Sequence, residues 1–495
     1  MSPTPSLLPV RNGAAVARSD LPRLSLEDLR EALVSGVGRG ARVAALFGAP
    51  GEGGGAELTA VLAEDAAGLL RLGRAELAAA PFPSLTPRCP ELHLFERELA
   101  EQAGLRVVGH PALRPVRAGE GWTSAADGGF YRVEGEEVHE VAVGPVHAGV
   151  IEPGHFRFQC HGERVLHLEI ALGYQHRGVE RALREGPEKR RIHYAETLAG
   201  DTTVGHASAY CQVREGLAGG RVPPRAQALR GVALELERLA NHTGDLGALA
   251  GDVGFLPTAS FCGRLRGDFL NLTAELCGSR FGRGLLRPGG VRFDVEPARA
   301  ARMSERLELA LRDLAPSVDL LWDTPSVLAR FEGAGALDAA TARALGLVGP
   351  AARACGLERD ARANFPSGIY QFAQIPVSTW RTGDVFARAT VRWLEIQRSA
   401  AFVRDRLAQL PQGPVGEPCG SPGADLFCAA LVEGWRGEVC HVAITGPGGE
   451  LAAYKVVDPS FHNWPGLAHA LRGQAISDFP LCNKSFNLSY CGFDL

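Results

Sequence analysis

Apolar and polar positions in the first part of the chain repeat with two different periods. Apolar residues recur at three- and four-residue spacing over residues 26–34, directly after Ser25, whose hydroxyl favours a helix N-cap. Residues 43–47 are an unbroken apolar run, which is typical of a buried strand. The Ala- and Leu-rich residues 57–79 predict a second helix, and the glycine-rich residues 51–55 before it predict a loop. These elements predict a small α/β domain.

A change in composition marks the end of this domain. Residues 116–137 are mostly small, polar and glycine-rich, which is typical of a linker, so the sequence predicts domains at 1–115 and 138–495. Short apolar or alternating stretches at 138–143 and 155–159 predict a β-hairpin. This hairpin would open the second domain.

The rest of the second domain is predicted to be mainly helical and to end in strands. Apolar residues recur at helical spacing, opposite charged faces, in five segments: 230–248, 264–277, 297–314, 339–345 and 384–407. A turn-rich stretch at 411–423 separates them from apolar strands at 439–444 and 452–457, which are joined through glycines. The predicted fold class is α+β, with a small α/β N-terminal domain followed by a mainly helical domain that has an opening β-hairpin and C-terminal strands.

The composition of the chain argues against nucleic acid as a partner and against a membrane-spanning helix. The 495 residues exceed what one hydrophobic core usually organises, and 52 basic against 56 acidic residues provide no field that would attract nucleic acid. No run of about 18 apolar residues occurs, and prolines interrupt residues 1–20, so we expect neither a membrane-spanning helix nor export. Any membrane link then runs through partner subunits. The eleven cysteines contain no C-x-x-C pair, which predicts reduced, mostly buried thiols.

Two motifs characterise the N-terminal domain. The chain reads ERELAEQAGL at 96–105 and GHPALRP at 109–115, a helix that runs into a turn fixed by two prolines. These residues resemble the signature of the 30 kDa subunit of respiratory complex I. That family is a small α/β protein that serves as a scaffold beside the electron-transfer subunits.

The second domain resembles the large subunits of group 4 nickel-iron hydrogenases and the homologous 49 kDa subunit of complex I. The matching stretches are GPVHAGVIEPGHFRF at 144–158, GYQHRGVE at 173–180, RGVALELERLANHTGDLGALAGDVGF at 230–255, WRTGDVFARATVR at 380–392 and VVDPSFHNWPGLAHALRG at 456–473. The fusion of the two modules resembles formate hydrogenlyase-type large subunits.

The resemblance implies a peripheral subunit of a membrane-bound oxidoreductase complex, held by its partners at the cytoplasmic face of the inner membrane. It implies a small iron-sulfur subunit that carries the electron-donating cluster, and antiporter-like and complex I-like membrane subunits that move ions. A quinone-type molecule or another small acceptor would occupy the cavity between the subunits. The alternative is a catalytically silent scaffold subunit.

The metal chemistry of the hydrogenase family is expected to be absent. A nickel-iron centre needs four thiolates from two C-x-x-C pairs. The resemblance puts the first pair on Ala199 and Thr202 and the second on Ser489 and Gly492, while Cys491 is one position away and is interpreted as a packed thiol. We therefore expect no metal or cofactor bound by this chain, and no hydrogenase activity.

The quinone residues of complex I are only partly matched, since His155 lies near the position of the hairpin histidine and the quinone tyrosine falls on Gly200. The identity of the acceptor stays open. Eight polar residues are expected around the cavity: Glu152, His155, Arg177, Glu180, Asp201, His206, Arg381 and Asp384. Buried carboxylates there could relay protons. The alternative is a set of structural ion pairs and helix caps, which is also our interpretation of Asp458.

Overall fold

A computed structural model of the chain describes residues 6–50, 56–77, 81–117, 129–147 and 151–495. The predicted loop at 51–55 and residues 118–128 of the predicted linker lie outside the described residues. Helices outweigh strands, and the strands form several small sheets. The predicted α+β class is confirmed.

The N-terminal domain has a five-stranded sheet with two helices packed against it. In chain order its elements are β1 (Leu8–Val10), β2 (Ala15–Ala17), β3 (Arg23–Leu24), α1 (Leu26–Gly38), β4 (Arg42–Pro50), β5 (Ala56–Glu64), β6 (Leu69–Leu77), β7 (Phe82–Pro83), α2 (His93–Ala103) and β8 (Val107–Val108). Strands β1, β6, β5 and β4 lie side by side and antiparallel, and β3 pairs with β6 in parallel. Ser25 caps α1 as predicted, because its hydroxyl accepts the Asp28 amide at 3.0 Å.

The predicted helix at 57–79 is wrong, since its described part forms the hairpin of β5 and β6. The turn contains Gly68 at a φ of 65°, and Gly73 lies so close to Leu7 that a Cβ would come within 2.5 Å of its Cδ2. A glycine inside a helix lowers the stability of that helix by about 1 kcal/mol relative to alanine, so Gly68 and Gly73 also disfavour a helix here. Pairing of this stretch with β4 on one side and β1 on the other satisfies its backbone, so tertiary pairing outweighs the helix propensity of its Ala and Leu residues.

The second domain combines a helical core with short strands. Its elements are β9 (Val138–Val143), β10 (His155–His161), β11 (Arg164–Ala171), α3 (Val179–Glu185), α4 (Glu188–Glu196), α5 (Thr203–Ala218), α6 (Pro224–Asp252), α7 (Leu256–Cys277), β12 (Leu286–Arg287), β13 (Gly290–Val291), α8 (Pro297–Trp322), α9 (Pro325–Phe331), α10 (Ala339–Ala344), α11 (Gly349–Arg353), α12 (Ala361–Asn364), α13 (Val385–Ala408), β14 (Leu426–Gly434), β15 (Gly437–Thr445), β16 (Leu451–Val457), α14 (Pro459–Ala470), α15 (Phe479–Phe486) and α16 (Tyr490–Asp494). The five helices predicted within this domain are confirmed as α6, α7, α8, α10 and α13.

Two sheets flank the helical core. The predicted opening hairpin is confirmed as β9 and β10, and β11 extends it to three antiparallel strands. The C-terminal sheet has the order β16, β15, β14, β2, so the predicted pair of β15 and β16 is joined by two strands that the periodicity did not predict. Helix α6 packs against α7 and α13 and is buried along most of its length.

Contacts join the two predicted domains into one packed body. Strand β2 pairs with β14, and buried Arg42 on β4 forms an ion pair with Glu438 on β15. Glu98 on α2 accepts a hydrogen bond from Lys455 on β16 at 2.6 Å. No helix in the described part of the chain combines the length and the apolar character needed to cross a membrane.

Candidate functional site

The four positions singled out from the sequence meet where α5 begins and where the chain ends in α16. Ala199 and Thr202 are buried just before α5, and Ser489 and Gly492 are buried at α16. Arg177 ties the two segments together, since its guanidinium donates to the backbone oxygens of Leu198 at 2.7 Å and Cys491 at 3.1 Å. Arg177 therefore links the segment before α5 to the C-terminal helix.

Asp201 forms a bidentate ion pair with Arg436, which lies in the turn between β14 and β15. The distances from Nη1 to Oδ1 and from Nη2 to Oδ2 are 2.5 and 2.7 Å. The indole of Trp435 donates to the Asp201 backbone oxygen at 2.8 Å, and Asn241 donates to it at 3.0 Å. Burial raises the pKa of Asp201, but the charge and hydrogen bonds of Arg436 outweigh burial and hold this pKa below its ordinary value. The ion pair thus lies against Thr202, whose hydroxyl accepts a hydrogen bond from Arg436 at 3.3 Å.

Gly492 packs directly against a second carboxylate, that of Asp458. A Cβ at Gly492 would come within 2.7 Å of Cγ and Oδ2 of Asp458 and within 2.9 Å of the Ser489 hydroxyl. The same hydroxyl caps α16 by accepting the Gly492 amide at 2.9 Å. A side chain at position 492 has no room unless Asp458 moves.

Asp458 begins a row of four buried, hydrogen-bonded side chains. His206 Nε2 lies 3.0 Å from Asp458 Oδ2, His206 Nδ1 lies 3.1 Å from His441 Nε2, and His441 Nδ1 lies 2.8 Å from the Tyr454 hydroxyl. With a neutral His206, all three bonds are satisfied when Tyr454 donates to His441, His441 donates to His206, and His206 donates to the Asp458 carboxylate. With a protonated His206, its ring donates to both Asp458 and His441, and His441 donates to the Tyr454 oxygen. The row is therefore a continuous line of hydrogen-bonding side chains from the site to β16.

The pKa shifts along this row have two opposing causes. Burial, and then the charge of His206, lower the pKa of His441, and burial raises the pKa of Tyr454. For Asp458, burial acts to raise the pKa, but the hydrogen bond and charge of His206 leave it below its ordinary value. At neutral pH these shifts favour an ionised Asp458, a neutral His441 and a neutral Tyr454.

Glu237 on α6 is a further buried carboxyl group at this site. It caps the start of α5, because its oxygens accept the amides of Val204 at 2.7 Å and Gly205 at 3.1 Å. Burial raises the pKa of Glu237 to about 8, against the effect of these two amides, and the charge of Asp201 adds to the rise. Glu237 can therefore gain or lose a proton near neutral pH.

Glu152 and Cys491 lie together at the edge of the site. Burial, and then the charge of Glu152, raise the pKa of the Cys491 thiol to about 11. The neighbouring Gly154 is pressed against Tyr490, so that a Cβ there would come within 2.6 Å of the Tyr490 ring. Gly154, just before β10, thus packs on the C-terminal helix.

Two other predicted residues have contacts elsewhere. His155 lies at the start of β10, where its Nδ1 is 3.3 Å from the Gly144 oxygen and its ring is tilted against Phe130. Glu180 accepts a hydrogen bond from the Val456 amide at 2.9 Å and pairs with Lys455 at 3.0 Å. Glu180 therefore belongs to the ion pairs between α2 and β16, which join the two domains.

Arg381 and Asp384 lie at the beginning of α13. Asp384 caps this helix by accepting the Ala387 amide, and it also accepts the Gly333 amide, both at 2.8 Å. Arg381 is exposed. Among the described residues, neither side chain is hydrogen-bonded to the group around Asp201. The structural alternative, a helix cap, is the observed role of Asp384.

The residues present do not fit a nickel-iron centre. The four positions offer a methyl group, two hydroxyls and a hydrogen atom, whereas nickel needs soft thiolates. Cys491 is a single thiol, with its Sγ 3.4 Å from the Ser489 hydroxyl. Within the described ranges, no group of three or more His, Cys, Asp or Glu side chains is arranged to hold a metal ion.

Three residues of the site were not identified from the sequence: Glu237, Arg436 and His441. One signal was available for Arg436, because it lies in a short turn between two strongly apolar stretches, where a buried charge is unusual. His441 is an isolated histidine within an apolar strand and has no such signal. Asp458 was predicted as a cap, and it does accept the Ser460 amide at 2.8 Å, but its second oxygen also bonds His206.

Two protein-family models match the chain. A family model described as the 49 Kd subunit of the respiratory-chain NADH dehydrogenase matches residues 252–420, and one described as the 30 Kd subunit of the same enzyme matches residues 61–127. Both matches occur in one chain, in the order predicted from the motifs.

Individual relatives cover most of the chain. Formate hydrogenlyase subunit 5 of Escherichia coli (strain K12) is 31% identical over 437 residues, which are 83% of this chain and 76% of the relative. The carbon monoxide-induced hydrogenase of Rhodospirillum rubrum is 31% identical over 70% of this chain and 97% of its own length. NADH-quinone oxidoreductase subunit 4 of Thermus thermophilus is 30% identical over 69% of this chain and 90% of its own length.

Proposed function

Because the chain belongs to the family of the 30 and 49 kDa subunits of the respiratory-chain NADH dehydrogenase and the large subunits of related hydrogenases, we propose that it is a peripheral large subunit of a membrane-bound oxidoreductase complex. We propose further that this complex works without a nickel-iron centre. Electrons arrive from an iron-sulfur cluster in a small partner subunit. Protonation changes in the site act on antiporter-like membrane subunits. These partners hold the chain at the cytoplasmic face of the inner membrane.

The observation that carries this proposal is the ion pair of Asp201 with Arg436 beside Thr202. It is supported by Gly492, whose missing side chain leaves room for the Asp458 carboxylate. Both carboxylates are hard oxygen donors and both already have hydrogen-bonding partners. The proposed site therefore retains charged and proton-bearing groups where the hydrogenases of the family hold metal.

Proton coupling is the role that these groups support best. The pKa of Glu237 is about 8, and the negative charge of Asp201 contributes to it. An electron that reaches the site changes the potential around Asp201 and Arg436, and so shifts the proton occupancy of Glu237. The row from Asp458 to Tyr454 provides a path for protons away from the site.

Exposed apolar side chains next to the site support a partner on this face. Val146 and Ile151 on the hairpin are 82% and 49% exposed, and Tyr174 in the following loop is 41% exposed. Both segments pack on the C-terminal helix, through Gly154 against Tyr490 and through hydrogen bonds to Asp494. We expect the iron-sulfur subunit to cover these side chains and to complete the cavity for a quinone-type or other small acceptor.

A catalytically silent scaffold is the second candidate, and the packing of the site favours it. Five cavities among the described residues have volumes of 190 to 470 Å³, and none of these five is lined by Glu152, Glu180 or Asp201. A site that is already filled needs no substrate. The two candidates differ in whether the assembled complex turns over.

The test is metal analysis and turnover of the intact membrane complex. We expect iron but no stoichiometric nickel, and electron transfer to quinones without oxidation of hydrogen or formate. Arg436→Gln removes the charge beside Asp201, and Arg312→Gln, on an exposed position of α8, is its matched control.

The outcomes separate the candidates. Arg436→Gln complexes that assemble normally but lose turnover support the oxidoreductase. Wild-type complexes that assemble but reduce no acceptor support the scaffold. Stoichiometric nickel overturns the proposal.

A further inference from the structure

A second pocket lies away from the site, between α2, β11 and α14. Its volume is about 260 Å³, and we call it the α2–α14 pocket. The residues that define it are Arg97, Arg114, His167, Trp464, His469 and Arg472. None of these residues was singled out from the sequence, and the proposed function does not use them.

The pocket carries an excess of positive charge. Three arginines line it, whereas Glu169 is the one carboxylate among its lining residues and is already paired with Arg114. Arg97 donates to the backbone oxygens of Arg114 at 2.7 Å and Pro115 at 2.8 Å. Arg472 is exposed, and no carboxylate in the described part of the chain lies within ion-pair distance of it. The charges of the arginines at the pocket are therefore only partly balanced.

The neighbouring side chains respond to this charge. Burial, and then Arg114, lower the pKa of Arg97 to about 10. Burial, and then Arg472, lower the pKa of His469 to about 4, and the same two causes lower the pKa of His167. The imidazoles are therefore uncharged at neutral pH, and the positive potential comes from the arginines alone.

Trp464 adds a hydrogen-bond donor without an acceptor. Its side chain is 3% exposed, and its Nε1 is buried and has no hydrogen-bond partner among the described residues. Leaving a buried donor unsatisfied costs about 1–3 kcal/mol. Trp464 lines the pocket, and because its Nε1 is not exposed there, the ring must turn toward the pocket before it can donate to an acceptor atom held there.

The remaining walls are apolar. Leu94, Leu168, Leu172 and Phe493 are among the apolar residues that line it. A free inorganic anion would leave these side chains without contacts, whereas an anion with an apolar body would cover them. The pocket combines cations, an unsatisfied indole and an apolar wall within one small volume.

From this combination we propose that the α2–α14 pocket binds a small amphipathic anion, whose negatively charged oxygens face Arg472 and Trp464 and whose apolar body packs between α2 and α14. The carboxylate of an aromatic or short aliphatic acid has this chemistry. The ligand bridges the two domains, because α2 belongs to the first and α14 to the second.

A larger cavity of about 470 Å³ near α5 and α6 does not carry the same inference. Its Arg230 is paired with Glu215 at 2.6 Å, and its Arg362 is paired with Glu235 at 3.0 Å. Because these buried charges neutralise one another, that cavity offers a ligand no comparable electrostatic attraction.

The test uses benzoate as the probe, with benzamide as its neutral counterpart of similar shape, and follows binding to the full-length chain by calorimetric titration. We expect saturable binding of one benzoate per chain and at least about tenfold weaker binding of benzamide, because a hydrogen bond to a charged group is stronger than one to a neutral group. Arg472→Gln and Trp464→Phe should each weaken benzoate binding several-fold. Arg472→Gln changes an exposed side chain, so folding is not at risk.

Arg312→Gln on α8 is the matched control and should leave the affinity unchanged. Benzoate that fails to bind, that binds no better than benzamide, or that binds equally to wild type and Arg472→Gln overturns the proposal. These outcomes leave the redox proposal untouched, since that one depends on the turnover of the complex.

Discussion

The guanidinium of Arg436 holds the carboxylate of Asp201 by two hydrogen bonds, at 2.5 and 2.7 Å. Arg436 comes from the turn between two C-terminal strands, whereas Asp201 precedes α5. The ion pair therefore fixes the C-terminal sheet against the start of α5.

Enlarging Gly492 should destabilise the fold. We expect Gly492→Ala to lower the free energy of unfolding by about 1–3 kcal/mol, because overpacking a filled interior displaces its neighbours, here Asp458 and Ser489. Urea denaturation measures this change. Gly263→Ala on α7 is the control, since its Cβ meets nothing within 4 Å, and it should gain up to about 1 kcal/mol. Unchanged stability of Gly492→Ala would show that the site has room for a side chain.

Glu237 should make stability depend on pH near neutrality. Its pKa is raised to about 8, so the folded state keeps a proton that the unfolded state releases, and wild-type stability falls as pH rises from the ordinary carboxyl pKa to about 8. Glu237→Gln cannot titrate and should lack this decline. Urea midpoints measured across the range compare the two proteins, with exposed Glu76→Gln as the control. Parallel pH profiles for wild type and Glu237→Gln would contradict the assignment.

Breaking the buried row at Asp458, its charged end, should lower the free energy of unfolding more than breaking it at Tyr454, its neutral end. His206→Gln leaves the Asp458 carboxylate buried without its histidine, and we expect a loss of about 3–5 kcal/mol in the free energy of unfolding. Tyr454→Phe removes one neutral hydrogen bond to His441, with a loss of about 1 kcal/mol. Denaturant unfolding measures both variants. Equal losses would mean that Asp458 is not ionised in the folded protein.

The two domains should unfold together. Lys455 pairs with Glu98 at 2.6 Å and with Glu180 at 3.0 Å, and all three side chains are largely buried. We expect Lys455→Met to lower the midpoint of a single calorimetric transition, with a loss of about 3 kcal/mol. Lys484→Met removes a more exposed pair with Asp252 and should cost less than about 1 kcal/mol. Two separate transitions in the wild type would contradict this prediction.

The sequence predicted the fold well wherever a helix buries one face. Helices α6, α7, α8 and α13 follow from apolar spacing, and Ser25 and Asp384 cap the helices that begin after them. The hairpin of β5 and β6 could not be predicted from propensity, because Ala and Leu favour helix and the pairing with β4 and β1 is not encoded locally.

The site was predictable only in part. Motif positions identified Ala199, Thr202, Ser489 and Gly492, which the structure brings together. The ion pair of Glu180 with Lys455 could not be predicted from the sequence, because it depends on how α3 packs on β16. Arg436, Glu237 and His441 come from three other elements, and their contribution follows from tertiary packing alone.

The pairing of β2 with β14 has a consequence for how the chain is made. Residues 15–17 leave the ribosome near the beginning of synthesis, but the strand that receives them contains residues 426–428. The early segment must wait with unsatisfied backbone groups until almost the whole polypeptide has emerged, which makes assembly slow and open to mispairing. Dividing the gene between the two domains would leave the first product with a free strand and the second with an uncovered sheet edge. Co-expression of the two halves would then be needed to keep either of them from aggregating.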